Sequence, residues 1–162
     1  MQRRTIYLAS PLGFAESTRP FMDSLAGSLR EVIDVVNPWD DQRFASDFVH
    51  ILNEDSYRQR LSRLQRINTE LGRANTASID QVHGVFAILD GVDVDSGTAA
   101  EIGYGFARGK RVCGLRTDFR LAGDNVGSIV NLQVQYFIEQ SGGEVVTTVE
   151  EFVALARSFA AE

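Results

Sequence analysis

Gly84-Val85-Phe86-Ala87-Ile88-Leu89-Asp90-Gly91 is the stretch from which the rest of the chain is read. Its run of apolar residues between glycines is too short for an ordinary helix and shows no polar alternation, which suits a strand buried on both faces. Such a strand belongs in the middle of a parallel sheet, with helices on both sides.

Upstream, Thr5-Ile6-Tyr7-Leu8-Ala9 is a β-prone run ended by Ser10-Pro11-Leu12-Gly13, and Val32 to Val36 is a second, stopped by Asn37-Pro38-Trp39. Between them, the spacing of Phe21, Leu25 and Leu29 predicts a helix from about Ser17 to Leu29. Asp40 to about Tyr57 lacks periodicity and reads as a long loop carrying a short helix near Phe44 to Leu52. Leu61, Leu64, Ile67 and Leu71 then resume helical spacing. Downstream, a helix from about Thr98 to Arg108, closed by Gly109, leads into the strand Arg111-Val112-Cys113-Gly114-Leu115. A helix near Ile129 to Gln140, a short strand at Glu144 to Thr147 and a helix from about Val149 to Ala160 follow. This alternation without hairpin signals predicts an α/β fold: a flavodoxin-like, doubly wound five-stranded parallel sheet in the order 2-1-3-4-5, as one domain over residues 1–162. Ligands in such sheets gather at the carboxyl ends of the strands near the switch point, here Tyr7 to Phe14 and Asp90 to Glu101.

Composition narrows the functional classes. An apolar fraction of 44% with 23% charged residues is ordinary globular usage, and no apolar run approaches the roughly 20 residues of a membrane span. A formal charge of −6 provides no footprint for nucleic acid. The single cysteine, Cys113, forms no intrachain disulfide, and the amino-terminal stretch is too short in apolar residues for a signal peptide, so a cytoplasmic location is the expectation. His50, His83 and Cys113 lack metal-ligand spacing, and no metal is expected. Gly103-Tyr-Gly105-Phe-Ala-Arg-Gly109 has the wrong spacing for a dinucleotide loop and falls inside a helix, Gly109-Lys110 lacks the preceding glycine of a P-loop, and no G-x-S-x-G elbow occurs. No cofactor is expected, and Cys113 reads as an inert core thiol.

The chemistry concentrates in Asp90-Gly91-Val92-Asp93-Val94-Asp95-Ser96-Gly97-Thr98-Ala99-Ala100-Glu101, where four carboxylates lie between a buried strand and the first turn of a helix. Crowding and partial burial raise the pKa of at least one, while a helix start favours a negative charge on Glu101. One acid then holds a proton while the other stays a nucleophile, the division of labour that glycosidic cleavage requires. Thr98-Ala-Ala-Glu101 also fits a capping box, in which Glu101 only bonds back to the Thr98 backbone.

Ile6-Tyr7-Leu8-Ala9-Ser10-Pro11-Leu12-Gly13-Phe14, Leu89-Asp90-Gly91, Asp95-Ser-Gly97-Thr98-Ala-Ala-Glu101-Ile-Gly-Tyr-Gly, Gly109-Lys110 and Asn131-Leu132-Gln133 resemble the nucleoside 2-deoxyribosyltransferases in content and order, over about residues 5 to 143. The resemblance implies that Glu101 attacks C1′ of a 2′-deoxynucleoside, that Asp95 passes a proton to and from the base, and that Tyr7 holds the nucleophile. It implies substrate contacts at Asp90, Gly97, Asn131 and Gln133, with Asn131 presented to a neighbouring subunit of a homo-oligomer. Phe14 and Trp39 are suited to stacking on a base or to packing in the core. The implied partners are small molecules, a deoxynucleoside and a free nucleobase. This chain departs from the pattern in two places: Asn75 stands on the helix where some members carry an aspartate that contacts the base, and Ser10 stands where glycine is common.

An N-glycosidase that hydrolyses nucleosides or nucleoside 5′-monophosphates is the alternative. A phosphate would need donors after the first strand, and Ser17, Thr18 and Arg19 are the available ones. A nucleotide-binding sensor is a third, non-enzymatic reading.

Overall fold

The computed structural model describes residues 3–43, 45–53 and 56–162. Five parallel strands form one sheet: β1 (Thr5–Ala9), β2 (Asp34–Val36), β3 (Gly84–Ile88), β4 (Arg111–Leu115) and β5 (Val145–Val146), in the order β2-β1-β3-β4-β5. This is the flavodoxin-like order expected. The register pairs Tyr7 with both Val36 and Val85, and Phe86 with Cys113. Every residue of β3 is buried, as its unbroken apolar run requires.

Among the described residues there are six α-helices: α1 (Arg19–Arg30), α2 (Ala45–Leu52), α3 (Tyr57–Gln81), α4 (Ser96–Ala107), α5 (Leu132–Gln140) and α6 (Val149–Ala161). Several boundaries differ from expectation for identifiable reasons. Helix α1 starts at Arg19 instead of Ser17, with Pro20 in the first turn where a missing N–H costs nothing. Helix α5 starts three residues late, because the Asn131 side chain accepts from the Gln133 N–H and fixes the start there. Strand β2 begins at Asp34, and β5 is only two residues long. The short helix after the second strand is present as α2, although Phe44, its expected first residue, lies outside the described residues.

Two-residue alternation along the strands divides the core. Ile6, Leu8, Phe86 and Ile88 pack with Met22, Leu25 and Leu29 of α1 and Phe152 and Phe159 of α6. Tyr7, Ala9, Val85 and Ala87 face the other way, against Ile79 of α3, Ile102 of α4 and Ile138 of α5. That alternation is what sends the Tyr7 side chain toward α3 and α4. Helix α4 lies close to the sheet because Gly105 permits it, since a Cβ there would come within 2.7 Å of Val85 Cγ2. Gly109 ends that segment at φ +69°, a conformation few other residues adopt. Burial pushes the Cys113 thiol up to about 11, as befits a core residue. Among the described residues no helix is long and apolar enough to cross a membrane.

Candidate active site

The start of α4 sets the geometry. Asp95 is its N-cap: Oδ2 accepts from the Thr98 N–H at 3.0 Å and from the Thr98 hydroxyl at 3.3 Å. Gly97 leaves room for this carboxylate, as a Cβ there would lie 3.1 Å from Asp95 Oδ2. The helix therefore begins at Ser96, ahead of Thr98, and the capping-box reading of Glu101 fails. Glu101 lies in the second turn, beyond the reach of the amino-terminal N–H groups that were expected to keep it ionised.

The Glu101 carboxylate instead reaches β1 and α3. The Tyr7 hydroxyl donates to Glu101 Oε1 at 2.6 Å, and Asn75 Nδ2 donates to the same oxygen at 3.4 Å. Tyr7 is fully buried and Glu101 is partly buried. Burial raises the Glu101 pKa, the Tyr7 hydrogen bond lowers it, and the charge on Asp95 raises it, with a net shift upward. Burial, followed by the adjacent Glu101 charge and hydrogen bond, drives the Tyr7 phenol far above its ordinary value, so it remains a donor.

A cavity of about 310 Å³ opens beside these residues at the carboxyl ends of β1 and β2, with Tyr7, Asn37, Asp41, Arg43, Asn75 and Ser78 on its walls. Tyr7 and Asn75 thus face both the cavity and Glu101. Asp95 and Glu101 do not line this cavity, and two larger hollows, about 490 Å³ between α2 and α3 and about 810 Å³ at the amino ends of the strands, lack Tyr7 as well.

The other expected site residues divide by environment. Phe14 is 75% exposed and meets the Trp39 ring edge-on at 4.6 Å. Trp39 lies so close to Gly13 that a Cβ there would meet the indole at 2.0 Å, and its Nε1 donates to the Ser10 carbonyl at 2.8 Å. Trp39 therefore packs under the loop after β1 and leaves Phe14 as the open ring. Asp90 accepts from the Thr117 N–H and hydroxyl and from the Asp118 N–H, which ties the loop after β3 to the loop after β4. Asn131 caps α5 and donates to Asp124 at 3.3 Å, and Gln133 is exposed. Neither makes a hydrogen bond with Tyr7, Asp95 or Glu101 within this chain. Of the candidate phosphate donors, the Thr18 hydroxyl donates to the Leu12 carbonyl and Arg19 Nε to the Gly13 carbonyl, while Ser17 and Arg19 are exposed.

Two contributors carry little local signal in the sequence. Asn75 meets Glu101 across a separation of 26 residues. Arg116 is buried at the end of β4, where its guanidinium donates to the carbonyls of Leu89, Gly91 and Arg120.

The sequence model of the nucleoside 2-deoxyribosyltransferases matches residues 6–133, and the chain belongs to that family. Membership supports an enzyme of the glycosyl-transfer or N-glycosidase type. A conserved protein of Enterococcus faecalis V583 is similar in structure at TM-score 0.66 and 22% identity, over 98% of this chain and 99% of that one. A 2-deoxyribosyltransferase of Bacillus psychrosaccharolyticus superposes at TM-score 0.55 and 24% identity, over 91% and 88% of the two chains. A CMP N-glycosidase of Clostridium botulinum superposes at TM-score 0.55 and 19% identity, over 96% and 99%. At these identities the three share the fold. No curated protein matches the sequence.

Proposed function

We propose that this enzyme exchanges the nucleobase of 2′-deoxynucleosides by double displacement through a deoxyribosyl ester on Glu101. The observation that carries the proposal is the partly buried Glu101 carboxylate, held by the Tyr7 hydroxyl, with a second acid, Asp95, at the head of the same helix. In the first step a Glu101 oxygen bonds to C1′ and the C1′–N bond breaks; its electron pair goes to the base nitrogen, which takes a proton by way of Asp95. In the second step Asp95 accepts a proton from the incoming base, whose nitrogen attacks C1′ and releases the Glu101 carboxylate. Two inversions retain the β-anomer.

The exposed Phe14 is the ring offered for stacking on a base, with Trp39 behind it. Asn131 and Gln133 complete the site of a second copy, with Asp90 and Gly97 shaping the acid loop. Ile129, just before Asn131, and Leu132 and Tyr136 on the helix it caps are exposed and give apolar surface such an assembly would cover.

The test mixes the protein with deoxyinosine and free adenine and separates the products by chromatography. Deoxyadenosine supports exchange. Hypoxanthine with free deoxyribose and no deoxyadenosine replaces exchange with hydrolysis, and unchanged substrates reject both for this pair.

A further inference from the structure

The geometry points to Asn75 as a positioning residue that, together with Tyr7, pins Glu101 Oε1 and reserves Oε2 for bonding to the sugar. The inference rests on Glu101 as the nucleophile. Both donors, the Tyr7 hydroxyl at 2.6 Å and Asn75 Nδ2 at 3.4 Å, converge on Oε1, and among the described residues no hydrogen bond reaches Oε2. They come from different elements, β1 and α3, so the carboxylate is held from two sides while α4 supplies its backbone. A carboxylate fixed through one oxygen keeps one orientation, which brings the other oxygen to a reacting carbon without searching rotamers.

The residue type matters as much as the contact. An ionised carboxylate only accepts hydrogen bonds, so the amide must offer its nitrogen, and an amide does so without bringing a charge. An aspartate at position 75 would set a third acid against Glu101 and Asp95 and push the pair toward the protonated form. The groups that bear on Glu101 are Tyr7 from β1, Asn75 from α3 and Asp95 at the head of α4, with the Asp41–Arg43 ion pair on the wall of the adjoining cavity. Asn75 is therefore placed to offset the burial and the Asp95 charge that disfavour the ionised nucleophile. Its 3.4 Å contact is long at rest, as catalytic hydrogen bonds commonly are before substrate binds.

The test has a spectroscopic arm and a kinetic one. With glutamate labelled at the carboxyl carbon, the Glu101 resonance is assigned by its loss in Glu101→Gln, and its titration midpoint is followed by NMR in wild type, Asn75→Ala and Asn75→Asp. The midpoint is expected to rise in both variants, by about one unit or more in Asn75→Asp. Unchanged midpoints in both overturn the inference; if the Asp variant fails to fold, the Ala variant decides alone. In the kinetic arm, Asn75→Ala is expected to lower kcat for base release from deoxyinosine about tenfold, with KM within about twofold. A rise in KM alone makes Asn75 a substrate contact and also overturns the positioning role. Shifted midpoints in the two variants, beside a wild type that releases no base, leave the Asn75 coupling standing and remove the proposed reaction instead.

Discussion

Replacing the partly buried Glu101 carboxylate with its neutral isostere should make this protein more stable and inactive. In Glu101→Gln the side-chain oxygen still accepts from Tyr7 and Asn75, so neither donor is orphaned, while the charge disfavoured by burial and by Asp95 disappears. The sign follows from the raised pKa. The folded state holds the Glu101 proton more tightly than the unfolded chain does, so the wild type loses stability as pH rises through the folded value. Glutamine has no such loss. The advantage of the variant is therefore open at pH 7 and closes toward pH 4, near the carboxyl value of an unfolded chain. Stabilising substitutions of this kind give about 0.5–2 kcal/mol, which for a chain of this size is a rise in Tm of about 2–4 °C per kcal/mol. Thermal unfolding of both proteins at pH 7 and pH 4, with base release measured at pH 7, checks the argument. A variant no more stable at pH 7, or one with an equal advantage at both pH values, would refute the account of a costly buried nucleophile.

Tyr7→Phe removes the donor that lowers the Glu101 pKa, so the acid limb of the pH–rate profile should move upward and activity should fall more at pH 6 than at pH 8. A limb at the wild-type position would count against that bond. Asp95→Asn keeps an equivalent cap, so unfolding should stay within about 0.5 kcal/mol of wild type while base release slows about 10²–10⁴-fold; Asp95→Ala should cost about 1 kcal/mol more through loss of the cap. Denaturant midpoints set beside product chromatography separate the two effects. Arg116→Met strips donors from the Leu89, Gly91 and Arg120 carbonyls and should lower stability by about 2 kcal/mol in urea unfolding, offset in part because a buried cation is removed with them.

Much of the architecture is legible in β3, β1 and β4, because strands buried on both faces must be apolar throughout and the helices between them must carry periodic stripes. The acid loop is legible as a place, and Tyr7 follows from strand alternation once α4 is known to cover that face. The role of Glu101 as a cap is misread from spacing, because two competent caps stand three residues apart and Asp95 wins with both the Thr98 N–H and its hydroxyl. Asn75 has no local pattern to reveal its contact. It lies on a 25-residue helix whose long reach alone carries it beside Glu101.

The partners of the four acids set Glu101 apart from the other three. Asp90 takes the N–H groups of Thr117 and Asp118, Asp93 takes the N–H of Val94, and Asp95 takes that of Thr98. Each of these three binds backbone donors and so helps to fix a loop or a helix start. Arg116 answers Asp90 in reverse: the end of β3 captures N–H groups beyond β4, and the end of β4 captures carbonyls at Leu89 and Gly91. The reciprocal clasp holds the acid loop against the rigid sheet without engaging Glu101. Glu101 alone is held by a buried phenol and an amide instead of backbone, in surroundings that disfavour its charge. A carboxylate held in place yet poorly stabilised as an anion is the one with most to gain by bonding to an electrophilic carbon.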